Sequence, residues 1–566
     1  MPKIEVIEKN FYGYTGKSYS HQDLVEVLTA AKAELDDVDP ETGNLKIELN
    51  DTNRPDLWST TGLGRQLRIY EGGAIPSYGF FSSAGKTLDA ADRVVKVDPA
   101  LKDIRPYITA FAVTGKTIDE AMLKDLIQTQ EKLCWNYGRK RRSIAMGVYR
   151  SDLIEYPVQY RAADPDATKF QPLGMEDVLS LREINEKHPK GQEYGPIVAD
   201  FNKFPFLTDN RGDVLSYPPV INSARIGAVE VGDENLFIEM TGTDLPSLTL
   251  AASIVACDLA DAGHTVLPVR VVYPYDTPLG REVTTPYYFQ DPAEADLSYI
   301  NKMLGEVLSS DEIVKALARM GCEARVDGEK VVLRVPEYRN DFLHAADVVE
   351  DVAIGRGLET FTPQLPQDYT VGRLSEEEEF GRRVRNIMVG LGFQEMMYNY
   401  LGSSRDYIEK MNLSPEGFIQ VANPMSENYE FVRASILPAL LGSEAISGNA
   451  VYPHHIFEVG KVAFLDDSEV TGTTTRNYLG FLSADSEAGF NLVNSQISAL
   501  LFYVSREYQV KELSDPRFIP GRAAEILVEG RRIGVFGEIH PLVLDNWGIG
   551  MPVTAGEVDL DLLLKG

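Results

Sequence analysis

Cysteine is nearly absent from this chain: Cys134, Cys257 and Cys322 are the only three in 566 residues, and none belongs to a CxxC pair. A disulfide framework and a cysteine-rich zinc site are therefore excluded, and a reducing compartment fits. No apolar run approaches the roughly 20 residues that span a bilayer, and the opening MPKIEVIEKN carries charge where a signal peptide needs an apolar core. The expectation is a cytoplasmic chain without membrane attachment. There is no GxxxxGK[ST], HExxH or GxSxG, so three large enzyme classes lose their usual signatures. Cations are also scarce, with 55 Lys plus Arg against 85 Asp plus Glu and a net charge of -30. Such a chain repels polyphosphates and anionic membranes unless basic residues cluster locally or a partner supplies them.

What the chain does have is ordinary globular material, 44% hydrophobic and 25% charged residues, in a length that predicts about three to five domains. Residues 1–86 read as short strands and helices closed by the Gly, Ser and Pro cluster of Gly72 to Lys86. Residues 87–270 read as one large mixed domain, with strand-like Ser143 to Tyr149 and Phe237 to Met240 and a last helix, Leu248 to Ala262, stopped by Gly263. Residues 271–366 form a smaller unit between proline-bearing edges. Residues 367–566 open with an acidic helix start at Ser375 and continue with strand-like Val451 to Val459, Asn477 to Leu482 and Glu525 to Phe536, plus a helix from Asn494 to Tyr503. This is an α+β pattern with an antiparallel sheet.

Asp341, Asp347, Glu350 and Asp351 stand out. The last three are spaced to share one helix face, and clustered carboxylates suit a hard cation such as magnesium. An ordinary acidic helix start has the same spacing. An internal echo bears on the choice: Arg54-Pro55-Asp56-Leu57 and Arg339-Asn340-Asp341-Phe342 both precede a helix, yet Gly62, Arg65 and Gln66 stand where the second copy has Asp347, Glu350 and Asp351. The loop-helix unit does not need the acids in order to form. Arg139-Lys140-Arg141-Arg142 offers forked donors to a phosphate or forms a solvated turn. Asn222, Ser223, Glu239, Thr241 and Asp244 sit at strand ends, where polar groups line pockets or close turns, and spacing alone decides neither case. His454 and His455 are neighbours on a strand and point to opposite faces, which argues against shared metal ligation.

The chain resembles the β-subunit family of phenylalanyl-tRNA synthetase in its archaeal and eukaryotic cytosolic version. The resemblance rests on KIELNDTNRPDLWSTTGLGRQLR, GRKRRSIAMGVYRSDLI, HPKGQEYG, YRNDFLHAADVVEDVAIGRG, ANPMSENYEFVRASILPALL, HHIFEVGKVA, GRAAEI and GVFGEIHPLV, which follow the family's order through nearly the whole chain. It implies an α2β2 heterotetramer that joins phenylalanine to tRNA(Phe) with ATP and magnesium, the aminoacylation centre lying on the α subunit. It further implies a B3/B4-like editing domain at 87–270, a small B5-like domain at 271–366, and a class II synthetase-like antiparallel core at 367–566 that lacks catalytic motifs. By motif position, Asp341, Asp347, Glu350 and Asp351 become magnesium ligands at the contact with the α subunit. Arg141 and Arg142 become contacts of the tRNA end, and Asn222 with Glu239 the residues that read tyrosine. Active class II cores use two arginines on ATP; here Arg433 stands near the first position, while Gly548 to Pro552 has no arginine after it. The other readings are a structural, tRNA-holding partner without editing, and an acidic hydrolase unrelated to tRNA.

Overall fold

The computed structural model describes residues 2–565. They form two compact units, 2–364 and 365–565.

The first unit opens with a three-stranded antiparallel sheet of β1 (Lys3–Val6), β2 (Ala33–Val38) and β3 (Leu45–Leu49), with β3 central. Helices α1 (Glu8–Thr15), α2 (His21–Leu28) and α3 (Thr60–Tyr70) accompany it. Ser59 caps α3 by accepting from the backbone N–H of Gly62, as serine does at helix starts.

A ten-stranded sheet follows. In chain order its strands are β4 (Val94–Val97), β5 (Tyr107–Thr114), β6 (Ile144–Arg150), β7 (Val158–Ala163), β8 (Phe204–Thr208), β9 (Val214–Tyr217), β10 (Ile221–Asn222), β11 (Leu236–Gly242), β12 (Thr265–Val272) and β13 (Glu282–Thr285). Across the sheet the order is β10-β9-β8-β7-β4-β12-β5-β11-β6, with β13 also on β12. Only β4 pairs in parallel, with β7 and β12. Helix α4 (Glu120–Lys132) leads into a π turn, Leu133–Tyr137, and helices α5 (Leu181–Lys187) and α6 (Pro189–Tyr194) lie on the excursion between β7 and β8. Helix α7 (Leu245–Asp261) is apolar nearly all round and almost wholly buried, which is how a helix covered on every side must read. Proline in its first turn and Gly263 at φ +100° just beyond it set its ends.

The unit closes with β14 (Ala293–Asp296), β15 (Glu323–Asp327) and β16 (Lys330–Arg334), a three-stranded antiparallel sheet with β16 central, and helices α8 (Leu297–Leu304), α9 (Ser310–Arg319) and α10 (Ala345–Arg356). A capping box of Ser309 and Glu312 starts α9. Ile313 and Leu317 on α9 and Val348 and Val352 on α10 interlock in one core. Burial of each such side chain contributes roughly 1.5–3 kcal/mol. Gly355 lets the helices touch: a Cβ there would lie 2.0 Å from the carbonyl oxygen of Ala316.

The second unit is a seven-stranded sheet of β17 (Gln394–Glu395), β18 (His454–Leu465), β19 (Thr473–Ala484), β20 (Gln509–Glu512), β21 (Phe518–Val528), β22 (Arg531–Ile539) and β23 (Val553–Asp559). Its order is β17-β18-β19-β23-β22-β21-β20, antiparallel except for β17 on β18. Helices α11 (Glu376–Gly390), α12 (Leu437–Ile446) and α13 (Phe490–Tyr503) pack on the sheet through two apolar cores. Ser375 caps α11 by accepting from Glu378 N–H, the helix start read from the sequence. The single stretch read at Glu525 to Phe536 is instead a hairpin, because Glu529 and Gly530, both at positive φ, turn the chain between β21 and β22.

Candidate functional site

Strand β11 runs between β5 and β6, and its register sets Glu239 opposite Ala110 on one side and Gly147 on the other. Alternation along the strand sends Ile238 and Met240 into the core beneath α7 and Phe237 into the core on the opposite face. Glu239 shares the face of Phe237, in a place where an apolar side chain would ordinarily stand. It is buried, and its Oε1 accepts a 2.7 Å hydrogen bond from the Tyr149 hydroxyl of β6. That hydroxyl lies 2.8 Å from Ser216 Oγ on β9, and Ser216 is paired across the strands with Asn222. Asn222 in turn donates to the carbonyl of Val148 at 3.4 Å. The register thus connects Glu239, Tyr149, Ser216 and Asn222 in sequence, across strands from distant parts of the chain.

Two features mark this chain of groups as more than a packing motif. Glu239 Oε2 is buried and has no hydrogen-bond partner among the described residues, a costly arrangement unless a ligand or water uses it. Gly147 makes room for the Tyr149–Glu239 bond: a Cβ there would lie 2.0 Å from the Tyr149 hydroxyl oxygen and 2.6 Å from Glu239 Oε1. Burial pushes the Glu239 carboxyl up to about 7, against the opposing pull of the Tyr149 hydroxyl and the Arg105 guanidinium. Arg105 escaped the reading of the sequence. It is buried, donates from Nε to Thr241 Oγ1 at 3.0 Å and from Nη1 to the Arg142 carbonyl at 3.1 Å, and supplies the cation nearest in role to Glu239. Tyr149 escaped as well. Tyr149 is a single residue on a strand whose neighbours only the register defines, and Arg105 lies in the loop before β5, where nothing local points to Thr241.

The basic run takes an unusual course. After the π turn, Arg139, Lys140 and Arg141 occupy consecutive left-handed conformations at φ 50°, 55° and 64°. Three non-glycine residues in that region store strain of roughly 1–2 kcal/mol each. Arg141 lies over the Tyr194 ring, 4.1 Å from its centre, and donates to the carbonyls of Pro219 and Val220, which lead to Asn222. It lines a cavity of about 520 Å3 together with Lys132, Trp135, Lys190 and Tyr194. Arg142 is exposed, and its carbonyl takes the Arg105 bond. Ser223, Thr241 and Asp244 serve the backbone or near neighbours: Ser223 donates to the Val214 carbonyl, Thr241 accepts from Arg105, and Asp244 accepts from Ser247.

The four acids of the third segment take three separate places. Asp341 and Asp351 are buried against the guanidinium of Arg339. Burial would raise the Asp341 carboxyl, yet Arg339 outweighs it and holds the group down at about 2. Asp347 turns back on its own helix start and accepts from the N–H groups of Leu343 and His344, both at 2.7 Å. Glu350 is exposed and pairs with Lys32 at 2.5 Å. Among the described residues no group of three or more His, Cys, Asp or Glu side chains is arranged to hold a metal ion. The donor set in this conformation therefore does not fit a divalent cation. His454 and His455 do face different partners, Glu444 and Ser483.

In the second unit Arg433 is buried within a fork, donating from Nη1 and Nη2 to the two carboxylate oxygens of Glu458 at 2.7 and 2.9 Å and from Nε to the Lys461 carbonyl at 2.8 Å. Gly460 packs against it, since a Cβ there would lie 2.3 Å from Nη2. Glu557 accepts from Ser435 Oγ and from the backbone N–H of Ile436 and faces Arg517. These charges are consumed by one another.

Two family models match, the tRNA synthetase B5 domain over residues 293–358 and the phenylalanyl tRNA synthetase beta chain CLM domain over residues 362–560. Together with the α+β units they define the class: a multidomain aminoacyl-tRNA synthetase chain. Among curated relatives, the phenylalanine–tRNA ligase beta subunit of Borrelia hermsii is 48% identical over 565 residues and that of Borreliella burgdorferi strain ZS7 is 48% identical over 567, each match covering 100% of both chains. Among solved structures, an N-terminal fragment of the phenylalanyl-tRNA synthetase beta-subunit from Pyrococcus horikoshii matches with a TM-score of 0.59 and 38% identity, covering 63% of this chain and 100% of that one. The chain belongs to the family of phenylalanine–tRNA ligase beta subunits, and as a beta subunit it has an alpha subunit for its partner.

Proposed function

We propose that, within an α2β2 ligase for tRNA(Phe), this chain supplies proofreading while the α subunit carries the aminoacylation centre with its ATP and magnesium. The chain divides its work over four segments: an N-terminal 1–86, a B3/B4-like editing domain that starts at 87 and runs past the expected boundary at 270 to include β13 (Glu282–Thr285), a B5-like joint up to 366, and a class II-like core at 367–566 that does not activate amino acid. The assembly works in the cytoplasm, and no helix among the described residues is long and apolar enough to cross a membrane.

The need for a second site is physical. An apolar pocket rejects an isostere with one added hydroxyl by only about a hundredfold, and tyrosine is that isostere of phenylalanine. The observation that carries the reading is the buried Glu239 with its unpaired Oε2, its other oxygen tied through Tyr149 and Ser216 to the strand of Asn222. A carboxylate or a neutral carboxyl in that position accepts a hydrogen bond from the phenolic hydroxyl, and phenylalanine leaves it unsatisfied. Arg141 ties the basic loop to the Pro219 and Val220 carbonyls that lead to Asn222, and the exposed Arg142 offers a cation to the tRNA end. The non-activating core is supported by Arg433, whose guanidinium is buried and paired through both terminal nitrogens with Glu458 rather than presented to a phosphate.

The test uses the α–β complex with tRNA charged with tyrosine. Asn222→Ala should slow tyrosine release at least tenfold, roughly the worth of one hydrogen bond to a substrate group, while phenylalanine charging continues at the wild-type rate. Deacylation at an unchanged rate would remove Asn222 from the site.

A further inference from the structure

All five N–H donors of Arg339 are engaged, and four of them end on two carboxylates. Nε and Nη2 donate to Asp341 Oδ1 and Oδ2 at 2.9 and 2.6 Å. Nη1 and Nη2 donate to Asp351 Oδ2 and Oδ1 at 2.7 and 3.1 Å, and Nη1 also reaches the Met320 carbonyl at 3.3 Å. Every oxygen that the two acids could offer an ion is thus already on one guanidinium. The cluster is closed: side-chain exposure is 1% for Arg339, 8% for Asp341 and 6% for Asp351. The ring of Phe342 covers the guanidinium at 4.4 Å.

The same device occurs a second time, without the acids that would suggest a metal. Arg54 donates from Nε and Nη2 to the two oxygens of Asp56 at 2.8 Å each, two residues on, and from Nη2 to Gln66 Oε1 at 3.2 Å, twelve residues on. Arg339 meets Asp341 and Asp351 at the same offsets of two and twelve. The first copy is buried to a similar degree, with exposures of 5% and 2% for Arg54 and Asp56. In it the position of Asp351 is a neutral amide, so no divalent ion is part of the design. The two copies also meet: Arg65 stacks on Tyr338 at 4.0 Å, and Gln66 Nε2 approaches Met320 Sδ.

We propose that Arg339 is itself the resident cation of this locus, and that Asp341 and Asp351 are reserved for its guanidinium rather than for magnesium. A divalent ion on either carboxylate would place its charge beside a buried guanidinium that has no water to screen it, and repulsion at such separations is strong in a closed interior. The remaining acids are committed elsewhere, Asp347 to the start of α10 and Glu350 to Lys32. The joint between α9 and α10 therefore assembles and holds without a divalent ion.

The α–β complex, freed of metal by chelation and then titrated with Mn2+ as the probe, tests this by counting bound ions per β chain in wild type and in Asp351→Asn. The expected result is the same count in both, with Asp351→Asn still assembled, because an amide oxygen serves in the Arg54 copy. A wild-type complex holding one more ion per β chain than Asp351→Asn would overturn the proposal. A second measurement needs no variant. Hydrogen exchange along Ala345–Arg356 in the wild-type complex should be the same in chelator and in Mn2+, and faster exchange in chelator would overturn it equally.

Discussion

Glu239 holds one oxygen on a tyrosine and the other on nothing, inside a sheet. Its carboxyl, raised to about 7 by burial, is an acid whose folded value lies above its unfolded one. Such a group adds stability in full below the unfolded value, near 4.5, and that contribution is lost as pH rises through about 7. Glu239→Gln, which cannot ionise, should therefore gain stability relative to wild type between pH 5 and 8, by about 3 kcal/mol at most. Thermal melts of the full chain across that range check the trend, and parallel curves would contradict it. Arg433 makes the opposite kind of claim. Because Glu458 is buried on it, Arg433→Met should cost roughly 3–5 kcal/mol by leaving an unpaired carboxylate, and adding Glu458→Leu should recover most of the loss. Urea unfolding of the three variants distinguishes a strut from a substrate-binding arginine, whose removal alone would leave stability almost unchanged.

Helix α10 shows what an element's sequence discloses. The run after His344 reads as a helix ending at Gly355 or Gly357, and both glycines have separate tasks. Gly357, at φ +105°, ends the helix, whereas Gly355 lies inside it and admits the backbone of α9. Gly355→Ala should destabilise the third segment by about 1–3 kcal/mol, the usual cost of forcing a methyl into a closed contact. Proteolysis of that segment reads the effect, and wild-type resistance would contradict it. The start of α11 was legible because its signals are local: Ser375 and the acids after it mark it. The turn at Glu529 and Gly530 was not, since Glu-Gly is a weaker hairpin signal than Asn-Gly, and two strands merged into one apolar-rich stretch. The candidate site was half legible. Glu239 and Asn222 declare themselves as polar residues among apolar ones, but Tyr149 and Ser216 join them only through strand register and Arg105 only from the loop before β5, neither of which a local pattern encodes. The Arg54 and Arg339 echo was visible as a repeated Arg-x-Asp. Its meaning as a fork became clear only from the bonds at offset twelve.

Across the whole molecule, a net charge of -30 sits beside a proposed substrate that is itself a polyanion. Attraction must then come from small basic loci such as the Arg139 to Arg142 loop and from the α subunit, and it should weaken with salt, which screens exposed charges beyond about 8 Å at physiological strength. The division of labour predicts that the chain purified without its partner does not exchange pyrophosphate into ATP in the presence of phenylalanine, since the one arginine near the expected position is already paired. Exchange above background would return the second unit to the active class. The most direct measurement concerns the pocket: the rate at which the full chain in its α–β complex, without ATP, releases tyrosine from preformed tyrosyl-tRNA(Phe), compared with phenylalanine from the cognate product. Rapid loss of tyrosine with phenylalanyl-tRNA spared is the predicted result, and tyrosyl-tRNA that survives as long as it does in buffer alone would contradict the assignment.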